Sequence, residues 1–248
     1  MNILVAVSRV PDTTAKILVS NDGKTIDNNN VKFILNPYDE YALEEAIQLK
    51  EKNGGKVVAI TVGPAVAQDI LRSALAMGAD EAVHLVTEGE FDSFFVADEI
   101  AKYAKTFNPD IIFMGKQSID FDSLQVPSLI AEFLDLPLAT VVTNLEFVDN
   151  KVKAEREIEG GREVVLMSLP CVISAQKGLN EPRYPKLHDI MKAKKKPIEE
   201  IKVATQDNKI SILSMELPSK TRLNKILTDS DEDIKEIARM LHEDAKVF

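Results

Sequence analysis

The run VVAITVGPAVAQDILRSALAMGAD, residues 57–80, decides the fold class. Its first six residues form a continuous run of the kind that makes a strand buried on both faces of a parallel sheet. Gly63-Pro64 turns the chain, and Ile70, Leu71, Ala74 and Leu75 then share one face of a helix that stops at Gly78. Another apolar run follows at 82–86, so the stretch reads as strand, helix, strand.

The same alternation extends in both directions. Residues 3–7, ILVAV, predict a buried strand. Asn36 reads as a helix N-cap with Pro37 at the first helical position and Asp39 and Glu40 in the first turn. That helix should bury Leu43, Ala46 and Ile47 and stop at Asn53-Gly54-Gly55. Further helices are predicted over 91–107 and 123–134, and further strands over 111–114 and 139–142. Asn21-Asp22-Gly23 reads as a hairpin turn between 17–19 and 25–26.

The expectation is an α/β fold, a parallel sheet flanked by helices on both faces. Ligands on such sheets sit at the carboxyl ends of strands, near the switch in strand order. Those ends are residues 8–12, 62–64 and 115–122. From Asn144 the pattern changes: Asp149-Asn150 and Gly160-Gly161 read as turns around the alternation Val152, Ala154, Arg156, an antiparallel hairpin appendage. After Lys202 periodicity fades until Ile234, Ile237 and Leu241 mark an amphipathic helix.

Composition narrows the function. The chain has 248 residues, 45% of them hydrophobic, and a net charge of -10, which argues against general nucleic-acid binding. No apolar run approaches the ~18 residues that span a bilayer, so no membrane insertion is expected. The start, MNILVAVSRVPD, enters a strand directly, without a secretory pattern. Cys171 is the only cysteine, which fits a reducing cytoplasm and excludes an internal disulfide. His84, His188 and His242 lack metal-ligand spacing, and no nucleophile or acid/base constellation is present.

Two stretches invite a functional reading. The loop GKQSIDFDS, 115–123, joins a strand to a helix, where amides can hold a phosphate. It is no Walker A loop, and Asp120 and Asp122 oppose a phosphate unless they cap or face sugar hydroxyls; a capped turn explains it equally well. The second is LNEPRYPKLHDIMKAKKKP, 179–197. Pro182 and Pro185 keep it out of helix, Leu187, Ile190 and Met191 then share one side, and Lys192, Lys194, Lys195 and Lys196 close it. An apolar knob beside a basic block suits docking on acidic surfaces, although a solvated surface helix is the plainer alternative.

This second stretch, with EREIEGGRE (155–163), NPYDEYALEEA (36–46), ALAMGAD (74–80) and GKQSIDFDS, resembles the beta subunit of electron transfer flavoproteins in family order, from about residue 3 to 201. The resemblance implies an adenine nucleotide alpha hydrolase-like domain over 1–202 and a C-terminal segment, 203–248, that packs on an alpha subunit. It implies FAD shared with that alpha subunit, and AMP held by Ala6, Asn36, Pro37, Tyr38, Asp39, Val62 and the loop Gly115, Lys116, Gln117, Ser118, Ile119, Asp120, Phe121, Asp122, Ser123, Leu124, Gln125 and Val126. Tyr38 corresponds to an aromatic position near the electron-transferring flavin. Leu179, Asn180, Glu181, Pro182, Arg183, Tyr184, Pro185, Leu187, Ile190 and Met191 correspond to a recognition loop for acyl-CoA or other flavin dehydrogenases. Arg156 and Glu157 resemble a segment near the mobile flavin domain of the alpha subunit.

AMP-binding members carry Asn-Gln-Thr where this chain has Leu124-Gln125-Val126. An electron-bifurcating branch instead holds a second FAD there and oxidises NADH, but has glycine where Phe121 and Pro127 stand. The loop falls between the two patterns. A stand-alone universal-stress-type nucleotide-binding protein would explain 1–142 and leave 155–161 and 179–197 without a role.

Overall fold

Every residue of β1 (Asn2–Ala6) after Asn2 is buried, which requires cover on both faces of its sheet. A computed structural model, describing residues 1–148, 151–204, 208–218 and 225–247, supplies that cover. After β1 come β2 (Arg9–Pro11), β3 (Phe33–Leu35), α1 (Pro37–Asn53), β4 (Lys56–Gly63), α2 (Gln68–Met77), β5 (Glu81–Val86), α3 (Ser93–Phe107), β6 (Ile111–Gly115) and α4 (Val126–Leu134). β7 (Leu138–Val148), β8 (Lys151–Ile158), β9 (Gly161–Ser168), β10 (Cys171–Ala175), α5 (Leu187–Ala193), β11 (Glu199–Lys202) and α6 (Asp231–Arg239) follow.

The main sheet runs β11-β5-β4-β1-β6-β10-β7-β8-β9, parallel from β11 to β7 and antiparallel thereafter. Leu43 and Ile47 of α1 and Ile70 and Leu71 of α2 pack on one face with Ile3, Val5 and Phe113. Ala97 and Ile100 of α3 and Ile130 of α4 pack on the other with Leu4, Ile60 and Ile112. The α/β expectation holds, and the apolar faces read for α1 and α2 are the buried ones.

The departures have local causes. α3 starts at Ser93 rather than 91 because the Asp92 carboxylate accepts from Phe95 N at 2.9 Å, capping the helix. α4 starts at Val126 rather than 123: Asp122 (φ 55°) and Leu124 (φ 54°) lie in the left-handed region, which a helix cannot contain. The Asn21–Gly23 hairpin amounts to one bridge, Val19 to Ile26. The 144–168 hairpins form the expected antiparallel appendage and extend the edge of the main sheet, since β7 pairs with β10 in its first half and with β8 in its second. The turn around Gly160 is confirmed, with Gly161 already opening β9, whereas Asp149-Asn150 lie outside the described residues.

Cys171 is buried in β10, where burial pushes its thiol up to about 12 and leaves it an inert small hydrophobe. α6 is capped by Ser230, whose side chain accepts from Asp233 N. Ile234, Ile237 and Leu241 are exposed on it and on the turn beyond, an apolar face with no cover within the described chain. No described helix is long and apolar enough to cross a membrane.

Candidate functional site

From β1 the chain builds β4 and β5 to one side and β6 and β10 to the other, so strand order reverses beside β1. That opens a crevice above the carboxyl ends of β1 and β6. The first turn of α1 closes its floor. Asp39 Oδ2 accepts from Ser8 N at 2.7 Å, just past β1, and Oδ1 accepts from Gly115 N at 2.8 Å, at the end of β6. One buried carboxylate therefore ties together the two strand ends that flank the switch point. Burial pushes its pKa up to about 7, against the pull of the two amide bonds.

Gly115 is small for the same reason. A Cβ there would fall 2.6 Å from both Asp39 Oδ1 and Tyr38 Cβ, so a side chain would push α1 off β6. Asn36 is the N-cap residue of α1, but its side chain does not cap. Its Nδ2 donates to Gln117 O at 2.9 Å and its Oδ1 accepts from Ile119 N at 3.3 Å. It holds the 116–125 loop in place from below.

That loop is folded on itself. Asp122 N donates to Ser118 O at 3.0 Å, and Gln117 Nε2 donates to Asp122 Oδ1, which takes one carboxylate oxygen out of the mouth. Lys116 Nζ sits 4.9 Å from the Tyr38 ring centroid, a cation–π contact at the rim. Residues 120–125 are exposed, among them Phe121 and Leu124. The amides of Ser123, Leu124 and Gln125 meet no acceptor among the described residues, and Gln125 makes no side-chain cap. Free amides ahead of an uncapped α4 suit a phosphate. Ala6 and Val62 lie beneath, at the ends of β1 and β4, packed in the core with Val58 and Ile60.

The docking stretch lies elsewhere, along α1. Its predicted residues divide into two sets. Tyr184 (95% exposed), Leu187 (76%), Met191, Ile190 and Glu181 face solvent. Leu179 packs partly on the core, and Asn180 and Arg183 turn inward onto α1. Lys192, Lys194 and Lys195 are exposed. Lys196 is not part of that free basic block: its Nζ donates to Ala79 O at 2.9 Å.

Sequence reasoning placed Ser8 at a strand end without its bond to Asp39, and missed the carboxylates Glu44, Glu45 and Glu51 of α1 that receive Asn180 and Arg183. Three acidic residues at positions 44, 45 and 51 of a helix whose neighbours are core were the available signal. Arg156, singled out from the hairpin, is pinned to Thr140 O at 3.2 Å and Thr140 Oγ1 at 2.9 Å and pairs with Glu163. Among the described residues no group of three or more His, Cys, Asp or Glu could hold a metal ion.

A family model described as the electron transfer flavoprotein domain matches residues 24–206. The electron transfer flavoprotein subunit beta of Bacillus subtilis is 42% identical over the whole of both chains. The human protein of that name is 42% identical over 97% of this chain and 99% of its own, and that of Syntrophomonas wolfei 43% over 88% and 86%. The 115–126 loop, the first turn of α1 and the 179–197 stretch fall within residues 24–206, the end of β1 precedes them, and the chain belongs to the electron transfer flavoprotein family, as a beta subunit.

Proposed function

We propose that this chain pairs with an electron transfer flavoprotein alpha subunit, accepts electrons from acyl-CoA or other flavin dehydrogenases and passes them to a respiratory acceptor, with AMP as a structural nucleotide. The observation that carries the docking half is the exposure of Tyr184 and Leu187 on a proline-braced loop whose other end is fixed to α1. FAD, held largely by the alpha subunit, supplies the redox chemistry. This chain contributes position and electrostatics: Tyr38 borders the shared flavin site, the β1 and β6 ends border the nucleotide, and no residue here acts as acid, base or nucleophile.

AMP is favoured by the fit of a single phosphate to the free amides of 123–125, with Asn36 bracing the loop beneath the adenosine. A second FAD is the competing reading, motivated by the apolar Leu124 and Val126. Heat-released nucleotide, identified by mass spectrometry and counted per heterodimer, decides between them. One FAD and one AMP is the expected result; two FAD would make this a bifurcating subunit. One FAD alone would mean the crevice has lost its ligand.

The uncovered face of Ile234, Ile237 and Leu241 supports the assignment of 203–248 to the alpha-subunit interface. Expressed without its partner, the chain is expected to be poorly soluble or free of flavin. A stable monomer with stoichiometric FAD, seen by size exclusion and absorbance, would overturn this assignment.

A further inference from the structure

Resting on the docking reading of 179–197, we infer that Arg183 is a positioning residue that never touches the partner: it locks the docking loop onto a carboxylate stripe of α1 and so presets Leu187. The guanidinium bonds two carboxylates at once. Nε and Nη2 donate to Glu44 at 2.9 and 3.0 Å, while Nη1 and Nη2 donate to Glu51 at 2.6 and 3.0 Å. The Arg183 backbone N–H adds a bond to Glu44 Oε2 at 3.1 Å. Three residues earlier, Asn180 Nδ2 donates to Glu45 Oε2 and Tyr41 O at 2.9 and 3.0 Å.

Between Asn180 and Lys186 these polar anchors carry the attachment: Leu179 before them packs partly on the core, and α5 after them is held on α2 by buried Ala193 and by Arg72, which donates to Ala193 O. A cleft of about 710 Å³ separates residues 183–186 from the end of α2, with Leu75 and Met77 on its far wall. Tyr184, beside Arg183, is almost wholly exposed. The two ion pairs differ in weight. Glu51 is half exposed and its pair is screened, whereas Glu44 is 3% exposed and, among the described residues, Arg183 is the one cation its carboxylate bonds. A lysine cannot reproduce the fork, because one ammonium cannot bond two carboxylates in a fixed plane. Fixing the loop before encounter removes an ordering cost from association.

The test uses the heterodimer and an acyl-CoA dehydrogenase that reduces the wild-type heterodimer, with Leu187→Ala as comparator. Arg183→Met is expected to raise KM for the heterodimer roughly tenfold with kcat and flavin content unchanged. Tryptic cleavage after Lys186 should accelerate in parallel, since the loop is no longer held. Arg183→Lys should recover little, and Glu44→Gln should shift both readouts in the same direction should Arg183→Met fail to fold. Unchanged cleavage with raised KM would mean that Arg183 contacts the partner directly, and unchanged KM and cleavage would mean that it positions nothing; either result overturns the inference. Normal transfer by Leu187→Ala would defeat the docking reading instead, and the cleavage rate would still decide whether Arg183 holds the loop.

Discussion

Leu187→Ala is expected to weaken electron transfer from a flavin dehydrogenase roughly ten- to a hundredfold, because burial of a leucine side chain in a partner pocket is worth about 1.5–3 kcal/mol. Leu187 opens α5, directly after the braced segment Pro182–Pro185, and is three-quarters exposed, so its apolar surface is available before any partner arrives. Tyr184, Ile190 and Met191 are exposed in the same stretch, and truncating them should cost less, since contacts around an anchor serve mainly to exclude water. The loss should persist at every ionic strength, since burial of apolar surface is not screened. The cations behave differently. Neutralising Lys192, Lys194 and Lys195 should slow association chiefly at low salt, where exposed charges act over a Debye length of about 30 Å at 0.01 M. Lys196 belongs outside that set, because its neutralisation breaks a bond to the end of α2 and would confuse docking with folding. Stopped-flow reduction across a salt series separates the two roles. A Leu187→Ala heterodimer that transfers normally per bound flavin but retains less flavin would show that the residue supports the fold rather than the contact.

The sheet and its helices were legible because periodicity reports burial, and burial here follows the α/β plan. Val57–Val62 and Ile3–Val7 lack alternation because both sheet faces are covered, and Ile70, Leu71, Ala74 and Leu75 cluster because only one face of α2 is. What periodicity could not report was neighbourhood. Cys171–Ala175 has the apolar run of a central strand, yet nothing in chain order says that it inserts between β6 and β7. The same limit applies to the site. Asn36 and Asp39 carry the signature of a capped helix start, and sequence had no means of showing that both side chains reach across to residues about 80 positions away. Arg183 was legible as part of a docking stretch, but its direction, inward, depends on carboxylates some 130 positions earlier. Local signals located the segments; long-range hydrogen bonds decided which side chains serve the fold and which stay exposed.

Asp39→Asn is expected to separate stability from nucleotide retention, and the sign follows from the raised pKa. The unfolded carboxyl titrates near 3.8 and the buried one near 7, so between these values the folded chain holds more protons than the unfolded. Stability from this group is therefore highest in acid and falls as pH rises through the window from about 4 to 7, by an amount on the order of a few kcal/mol. The neutral carboxyl and a carboxamide are near isosteres with one acceptor each, so parent and variant should have similar stability at pH 5. At pH 8 the parent bears a buried charge that the variant lacks, and Asp39→Asn should be the more stable by several degrees in thermal midpoint. The ionised form is nevertheless the one that fits the site. Only a carboxylate accepts from Ser8 N and Gly115 N together, whereas asparagine turns its amide donor toward one of those N–H groups. Releasing one strand end loosens the floor of the crevice, and retained nucleotide should fall about tenfold, the effect of one lost hydrogen bond to a buried charge. Thermal midpoints of parent and variant heterodimers at pH 5 and pH 8, with nucleotide content measured at both, test the two halves together. Parallel pH curves would show that Asp39 is already ionised in acid, and undiminished nucleotide would show that the tie between β1 and β6 is not what shapes the crevice. The expected divergence would mark Asp39 as a place where the fold gives up stability above neutral pH to hold the two strand ends in register for a ligand.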